Sequence, residues 1–155
     1  MTIQEFIEHL CRHSGVEAEQ LTVSVDDSTA DAIVVHIEVP AEESGLLIGF
    51  HGETLTAIQR ITRVIFQEEL GEKRLVVNIN EYREQRAEKL TEMAERAALQ
   101  VRETGRPYRF SYLPANERFV IHSALSENPD FSDVESVSEG EGRARTLIVR
   151  LKQAA

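Results

Sequence analysis

The chain has 155 residues, enough for one medium domain or two small ones, and its 41% hydrophobic and 28% charged residues are ordinary for a globular protein. Its single cysteine, Cys11, excludes an internal disulfide and a cysteine-rich zinc site. The N-terminus has no signal-peptide pattern and no apolar run reaches the roughly 20 residues of a membrane span, so we expect a cytoplasmic protein.

Charge is distributed unevenly along the chain. Residues 1–81 carry 5 Lys and Arg against 15 Asp and Glu, a net charge of −10, whereas residues 82–155 carry 12 of each and are neutral. Because an acidic protein repels polyanions, any binding of nucleic acid must depend on where individual cations lie.

Apolar spacing predicts the elements of the first half. Thr2 and Glu5 form a capping-box pattern at the start of a helix, and Pro40 ends a run of alternating apolar residues. In chain order we predict a helix over 2–13, hairpin strands near 21–25 and 33–39, a short helix over 41–48, a helix from about 53 that stops before 71, and a strand over 75–79.

The second half follows a different order. We predict a helix over 82–104, a strand over 108–112, a helix from 114 to about 125, and a hairpin with arms 131–137 and 146–151 joined by SEGEGRAR. The boundary near residue 80 divides the chain into two domains, 1–80 and 81–153.

A glycine-rich segment, GLLIGFHGETL, lies between two predicted helices of the first half. It lacks the Gly-Lys-Ser/Thr ending of a phosphate-binding P-loop and the strand-linked spacing of a dinucleotide fingerprint. What remains is Gly49-Phe50-His51-Gly52, a G-x-x-G turn. Glycines here permit a sharp corner and let a phosphodiester backbone approach the amide N–H groups that begin the next helix.

The element order around this turn resembles a KH domain of the bacterial type, αββααβ. The resemblance implies that the turn clamps the backbone of unpaired nucleotides. The residues that would contact nucleic acid are Ile48, Gly49, Phe50, His51, Gly52 and, on the next helix, Arg60. KH turns that bind well usually carry Lys or Arg between the glycines, so this one is expected to bind weakly by itself. Two alternatives stay open: the glycines only form a tight turn, and Phe50 packs inward rather than stacking on a base.

Arg118 and His122, in NERFVIHSAL, lie four residues apart and therefore on one face of the predicted helix. The pair alone is typical of a solvated face. However, the stretch from Asn80 to Lys152 resembles the small αβαββ domain that binds single-stranded nucleic acid and is named for an Arg and a His separated by three residues. That resemblance implies that Arg118 and His122 contact phosphates with support from Arg145. Further candidate cations are Arg83, Arg86, Arg106, Arg109, Arg143 and Arg150.

Together the two halves form an α+β chain that resembles the bacterial Jag/KhpB family over nearly its whole length. The resemblance implies an RNA-binding protein, a post-transcriptional regulator or RNA chaperone, whose partner is single-stranded RNA. Single-stranded DNA and a second KH protein stay open as further partners, and no small-molecule substrate is expected. The family is often associated with membrane insertion machinery. Such a link is left open here, because relatives often carry an extension before the KH helix, which begins here at Thr2.

We expect no enzymatic activity, cofactor or metal. His9 and His13 share a helix face, but no third ligand is evident, and no Ser-His-Asp or Cys-His pattern has supporting context. The alternative function is a protein-interaction adaptor, in which a degenerate, acidic KH domain docks a basic partner.

Overall fold

Residues 1–153 are described by a computed structural model, in which contacts are concentrated within two units. The first unit is Met1–Arg83 and the second begins at Glu84. The domain limits expected from the sequence, 1–80 and 81–153, stay predictions. In the described part of the chain, no helix combines the length and apolar character needed to cross a membrane.

The first unit has the predicted αββααβ order of elements, which is confirmed. The elements are α1 (Ile3–His13), β1 (Thr22–Asp26), β2 (Ala32–Glu38), α2 (Ala41–Ile48), α3 (Glu53–Ile65), α4 (Gln67–Leu70) and β3 (Arg74–Ile79). Two consecutive helices, α3 and α4, take the place of the predicted second long helix. The predicted second long helix is interrupted at Phe66, which leaves helical geometry and buries its ring edge-on against Phe6, 5.7 Å between centroids. A short 3₁₀ turn, Ala18–Gln20, was not predicted.

The three strands of this unit form one sheet in the order β1-β2-β3. β1 and β2 are antiparallel, as the hairpin pattern predicts, and β2 and β3 are parallel, with Val35 opposite Val77. In β2 and β3, alternate residues point to one face and are buried there, where they meet apolar residues of the helices such as Ile7, Leu47 and Leu55. In β1 only Val23 is buried.

α1 begins at the capping box expected from the sequence. Thr2 Oγ1 accepts the Glu5 N–H, and the Glu5 carboxylate accepts the Thr2 N–H at 2.8 Å. Its buried stripe, Ile3, Ile7 and Cys11, faces the core. Burial, with a smaller contribution from Glu8, raises the pKa of the Cys11 thiol to about 11, so the thiol stays protonated at neutral pH.

Asn80 lies at the end of the β2–β3 pairing in the first unit. Its backbone is left-handed (φ 46°), and its side chain pairs with the end of β2: Nδ2 donates to the Val39 carbonyl at 2.8 Å and Oδ1 accepts the Val39 N–H at 3.0 Å. This amide therefore continues the β2–β3 pairing by one step beyond Ile79.

The second unit has the predicted αβαββ order. Its elements are α5 (Tyr82–Thr104, which begins just before the unit boundary), β4 (Tyr108–Arg109), α6 (Ala115–Ser126), β5 (Val134–Glu139) and β6 (Thr146–Leu151). The sheet order is β4-β6-β5, with both pairings antiparallel. Apolar residues of α5 and α6, among them Leu90, Val101 and Ile121, pack with Leu147 and Val149 of β6.

Two predicted strands are longer than the observed ones. The strand expected over 108–112 ends early, because after Phe110 donates to the Leu147 carbonyl the chain bends at Ser111 and buries Leu113. The hairpin arm expected to begin at Phe131 begins at Val134 instead. Phe131 belongs to a 3₁₀ turn that Asn128 caps by accepting the Asp130 N–H.

Candidate nucleic-acid interface

The G-x-x-G turn has a backbone that requires glycine at both ends. Gly49 and Gly52 have φ of 72° and 76°. A Cβ added at Gly49 would lie 2.1 Å from Thr54 Oγ1, and one at Gly52 would lie 3.1 Å from Tyr82 Cε1. Both glycines are therefore needed for conformation and for packing, whether or not the turn binds a ligand.

Phe50 does not plug the turn. Its side chain is 67% exposed, and its ring meets the His51 ring edge-on at 4.1 Å between centroids. The alternative in which Phe50 packs inward is therefore wrong, and stacking on a base stays a prediction. His51 itself is left-handed (φ 53°), a conformation that histidine adopts more readily than most residues.

Charge around this turn is sparse and mostly negative. Ile48 is half-buried and Glu53 begins α3 directly after Gly52. Arg60 lies roughly 10 Å further along α3, about two turns from its start, where it lines a separate shallow depression with Arg63. The structure therefore does not bring Arg60 to the G-x-x-G turn.

In the second unit, one open depression of about 620 Å³ gathers the predicted Arg-xxx-His residues. We call it the Arg118 depression. It is lined by Ala115, Arg118, Phe119, His122, Ser136, Val137, Ser138, Arg145 and Leu147. The α6 residues share a face because they follow i, i+3, i+4, i+7 spacing, and the two serines lie on one side of β5 because strand residues alternate.

Arg118 is held in place by the chain just before its helix. Its Nη1 donates to the Leu113 carbonyl at 2.6 Å. Within residues 1–153 it makes no ion pair, so the remaining donors of the guanidinium are available to a ligand. Because this hydrogen bond already restricts the side chain, Arg118 loses less conformational entropy when it binds an anion.

His122 is oriented from the opposite side of the depression. Its Nδ1 lies 2.6 Å from Ser136 Oγ, a hydrogen bond that joins α6 to β5. Since Nδ1 is engaged, Nε2 is the nitrogen left to contact a ligand; in the described part of the chain it has no partner. A second groove, of about 330 Å³, shares His122 and Ser136 and contains Lys152.

A buried ion pair supports the start of α6. Glu117 is only 2% exposed, and Arg86 of α5 donates to both of its carboxylate oxygens, at 2.7 and 3.0 Å. The pair ties α5 to the helix that carries Arg118 and His122. It also neutralises the carboxylate that is adjacent to Arg118 in the sequence.

Most other candidate arginines are engaged in contacts of their own. Arg150 pairs with Glu135 at 2.8 Å, and Arg109 lies 3.7 Å from Glu139. Arg83 donates to the Val77 carbonyl at 3.1 Å. Arg106 and Arg143 are exposed but do not line the Arg118 depression. Its fixed cations are therefore Arg118 and Arg145.

Of the lining residues that were not predicted, three have aromatic or hydroxyl side chains: Phe119, Ser136 and Ser138. Phe119 lies three residues before His122, so helical spacing was a signal that could have placed it on the same face. The serines follow each other at period two in SVSEG, a pattern typical of one strand face. Nothing local indicated that this strand face meets α6.

Two family models match the chain. The model described as KhpA/KhpB, KH domain, matches residues 4–79, and the model of the Arg-xxx-His domain, named for its Arg and His separated by three residues, matches residues 88–151. The first match contains the G-x-x-G turn, and the second contains the whole Arg118 depression.

Relatives named RNA-binding protein KhpB align with both halves. The relative from Bacillus subtilis (strain 168) is 32% identical over 120 residues, 77% of this chain and 57% of its own length. The relative from Lactiplantibacillus plantarum is 30% identical over 146 residues, 93% of this chain and 44% of its own length. That from Streptococcus pneumoniae serotype 2 is 31% identical over 116 residues, 74% of this chain and 34% of its own.

This chain thus spans only about a third to just over half of the length of these relatives. The two domain models nevertheless leave unmatched only residues 1–3, 80–87 and 152–155. With its two domains in that order, the chain belongs to the Jag/KhpB family, in which a KH domain is followed by an Arg-xxx-His domain.

Proposed function

We propose that this chain is an RNA-binding protein that holds single-stranded RNA at two places and acts, without enzymatic activity, as a post-transcriptional regulator or RNA chaperone in the cytoplasm. The domain 1–80 would contact RNA through residues 48–52, and the domain 81–153 through Arg118, His122 and Arg145. The observation that carries the proposal is that these last three side chains line one depression.

Phosphate binding follows from the chemistry of that depression. A guanidinium offers a planar pair of donors that matches two phosphate oxygens, and two of them in one depression can hold adjacent phosphates or one phosphate from two sides. The described residues that line the depression include no carboxylate, and Glu117 and Glu135, which lie on the two elements beside it, are already paired with arginines.

The G-x-x-G turn would contribute through its backbone. α3 begins at Glu53, directly after the turn, and the Glu53 N–H donates to the Phe50 carbonyl, so what the helix start offers a ligand is the positive end of its dipole. Such a helix start favours a phosphate. Arg60 belongs to this proposal only if RNA extends about two turns along α3. We expect the contribution to be small, because the turn has no Lys or Arg and its half of the chain has a net charge of −10.

RNA is the partner that the relatives' printed names indicate, since each of the three relatives above is named an RNA-binding protein. The same names give no support to the alternative of an adaptor that docks a basic protein. Phosphate contacts do not separate RNA from DNA, so single-stranded DNA of the same sequence belongs in every titration.

We propose further that a second KH protein pairs with the first unit. Ile61, Val64 and Ile65 are exposed on α3 and follow i, i+3, i+4 spacing, which forms an apolar stripe on a helix. A second copy of this KH domain presents the same stripe, so a symmetric dimer would cover both. Light scattering of the wild type and of Ile61→Glu tests this: the variant should be monomeric at concentrations where the wild type is not.

The direct test of RNA binding is a titration of unstructured RNA at several salt concentrations against the wild type, Arg118→Ala and Arg96→Ala. Arg96 is the control, because it is an exposed arginine whose removal changes net charge equally, and it pairs with Glu92 away from the Arg118 depression. Arg118→Ala should weaken binding and reduce the salt slope by about one contact, while Arg96→Ala should change neither.

Absence of RNA binding by the wild type at low salt would contradict the proposal. Equal losses in Arg118→Ala and Arg96→Ala would show that net charge, rather than the Arg118 depression, governs binding. Within the turn, Phe50 and His51 are better positions for substitution than Gly52, because any side chain at Gly52 would press on Tyr82.

A further inference from the structure

We propose that Phe119 is the base-stacking residue of the Arg118 depression, and that it makes this site prefer unpaired over paired nucleotides. The inference rests on the proposed function, in that it assumes that Arg118, His122 and Arg145 bind phosphates.

The position of Phe119 is the first argument. Its side chain is 69% exposed, and it lies on α6 between Arg118 and His122 in a depression that Arg145 also lines. A base attached to a phosphate held by either arginine would therefore be next to an exposed aromatic face. Bases stack on aromatic side chains in single-stranded nucleic-acid sites, whatever their sequence, because every base has a π face.

Phe119 is not a residue of the core. The core side of α6 is made by Ile121 and Leu125, with Val120 and Ala124 packed beside them. These residues already fill the apolar stripe that the helix needs for folding. Phe119 lies on the other side of the helix, in the depression that Arg118 and His122 also line.

Phe119 does not belong to an apolar docking patch either. Single exposed apolar residues are common, whereas a protein interface needs a contiguous patch. In the described part of the second unit, the large exposed apolar residues are Leu99, Phe119 and Leu151, and each lies on a different element. The other apolar side chains that line the depression are Ala115, Val137 and Leu147. A single exposed aromatic side chain with arginines and serines in the same depression fits a nucleotide better than it fits a protein.

The preference for unpaired nucleotides follows from the accessibility of their bases. In a duplex both faces of each base are covered by neighbouring pairs, so a base can stack on Phe119 only if it is unpaired. Phosphates are accessible in both forms, so Arg118 and Arg145 alone would discriminate little between them. The preference for single strands should therefore depend on Phe119 more than on the arginines. Ser138 would contribute a hydroxyl for the base edge or the sugar.

The test measures three ligands against the 155-residue chain: oligoadenylate, the same strand paired with oligouridylate, and inorganic polyphosphate, which has no bases. Phe119→Ala should weaken oligoadenylate binding by roughly 5- to 100-fold and leave the duplex, polyphosphate and the salt slope unchanged. Arg118→Ala should weaken all three. Leu99→Ala, which removes an exposed apolar side chain elsewhere in the unit, is the matched control and should change none.

A fluorescence measurement gives a second readout. The chain contains no tryptophan, so Phe119→Trp introduces a single reporter. Its emission should be quenched by oligoadenylate and not by polyphosphate, whereas Leu99→Trp should respond to neither.

The outcomes separate this inference from the proposed function. If the wild type binds oligoadenylate and Arg118→Ala weakens it but Phe119→Ala does not, stacking is overturned and phosphate binding stands. If Phe119→Ala weakens all three ligands equally, Phe119 has no base-specific role and the inference is also overturned. If the wild type binds no RNA, the proposed function itself fails.

Discussion

The G-x-x-G turn and the Arg118 depression each expose a phenylalanine near a histidine, yet they are built differently. Phe50 and His51 lie on a corner whose shape comes from glycine backbone conformations. Phe119 and His122 lie on a regular helix, and the hydrogen bond from His122 to Ser136 and the anchored Arg118 fix the side chains around them. The first region is defined by its backbone and the second by its side chains.

This difference indicates which region should bind phosphates more strongly. Backbone N–H groups carry partial charge, and at the turn they lie in a half of the chain with a net charge of −10. The Arg118 depression carries two guanidinium groups that make no ion pair with any described residue, in a half with no net charge. We therefore expect the second region to supply most of the salt-dependent affinity and the first to add a weaker contact.

The largest expected effect comes from breaking the support of the second region. Arg86→Ala should destabilise that unit by about 3–5 kcal/mol, because it removes both hydrogen bonds that the guanidinium donates to the buried Glu117 carboxylate. Hydrogen exchange measures the effect separately in each region: amides of α6 should lose protection while amides of β2 and β3 keep theirs.

The control for this substitution is Arg96→Ala, which breaks an exposed pair with Glu92 and should cost well under about 1 kcal/mol. If Arg86→Ala proved as mild as Arg96→Ala, the buried pair would not be what holds α6 in place.

The second effect is on the backbone of the first region. Gly49→Ala should lower the free energy of unfolding by about 2–3 kcal/mol, since Gly49 has φ 72° and ψ −176°, a conformation nearly restricted to glycine. Its new Cβ would also overlap Thr54. Urea denaturation measures the loss.

Gly45→Ala is the matched control: Gly45 lies within α2 with open space around it, so this change should stabilise the protein by about 0.5–1 kcal/mol. Similar losses at both positions would contradict the assigned backbone geometry.

The smallest effect is expected from a substitution that gives the G-x-x-G turn a cation, as the Arg118 depression has. Phe50→Lys should raise RNA affinity a few-fold at low salt and increase the salt slope by about one contact. Because Phe50 is already exposed, the change should not disturb packing. Weaker binding would instead show that the Phe50 ring stacks on a base and contributes more than a cation does. Leu46→Lys, at another exposed apolar position in the first unit, is the control for added charge.

Much of the fold follows from local patterns. The Thr2–Glu5 cap, the alternation in β2 and the positions of α2 and α3 were all readable, because helical and strand periodicities depend on neighbours in the sequence. The errors lie where tertiary packing overrides the local pattern: Phe66 breaks the long helix to bury its ring, and Phe131 leaves the strand for a capped turn.

Less of the candidate site could be predicted from the sequence. Arg118 and His122 could be paired by helical spacing, but their proximity to Arg145 was implied only by the resemblance to a known domain. Ser136 and Arg86 contribute through contacts that span 14 and 31 residues, to His122 and Glu117 respectively. No local pattern encodes such contacts, and charge counting could not separate the paired arginines from those left for a ligand.

The most direct measurement of the central claim compares two double variants, Arg118→Ala/Arg145→Ala and Phe50→Ala/His51→Asn, in RNA titrations over a range of salt concentrations; asparagine tolerates the left-handed backbone of His51. The account predicts that the arginine variant loses more affinity and that its salt slope falls by about two contacts, while the turn variant keeps the wild-type slope. A larger loss in the turn variant, or an unchanged slope in the arginine variant, would contradict it.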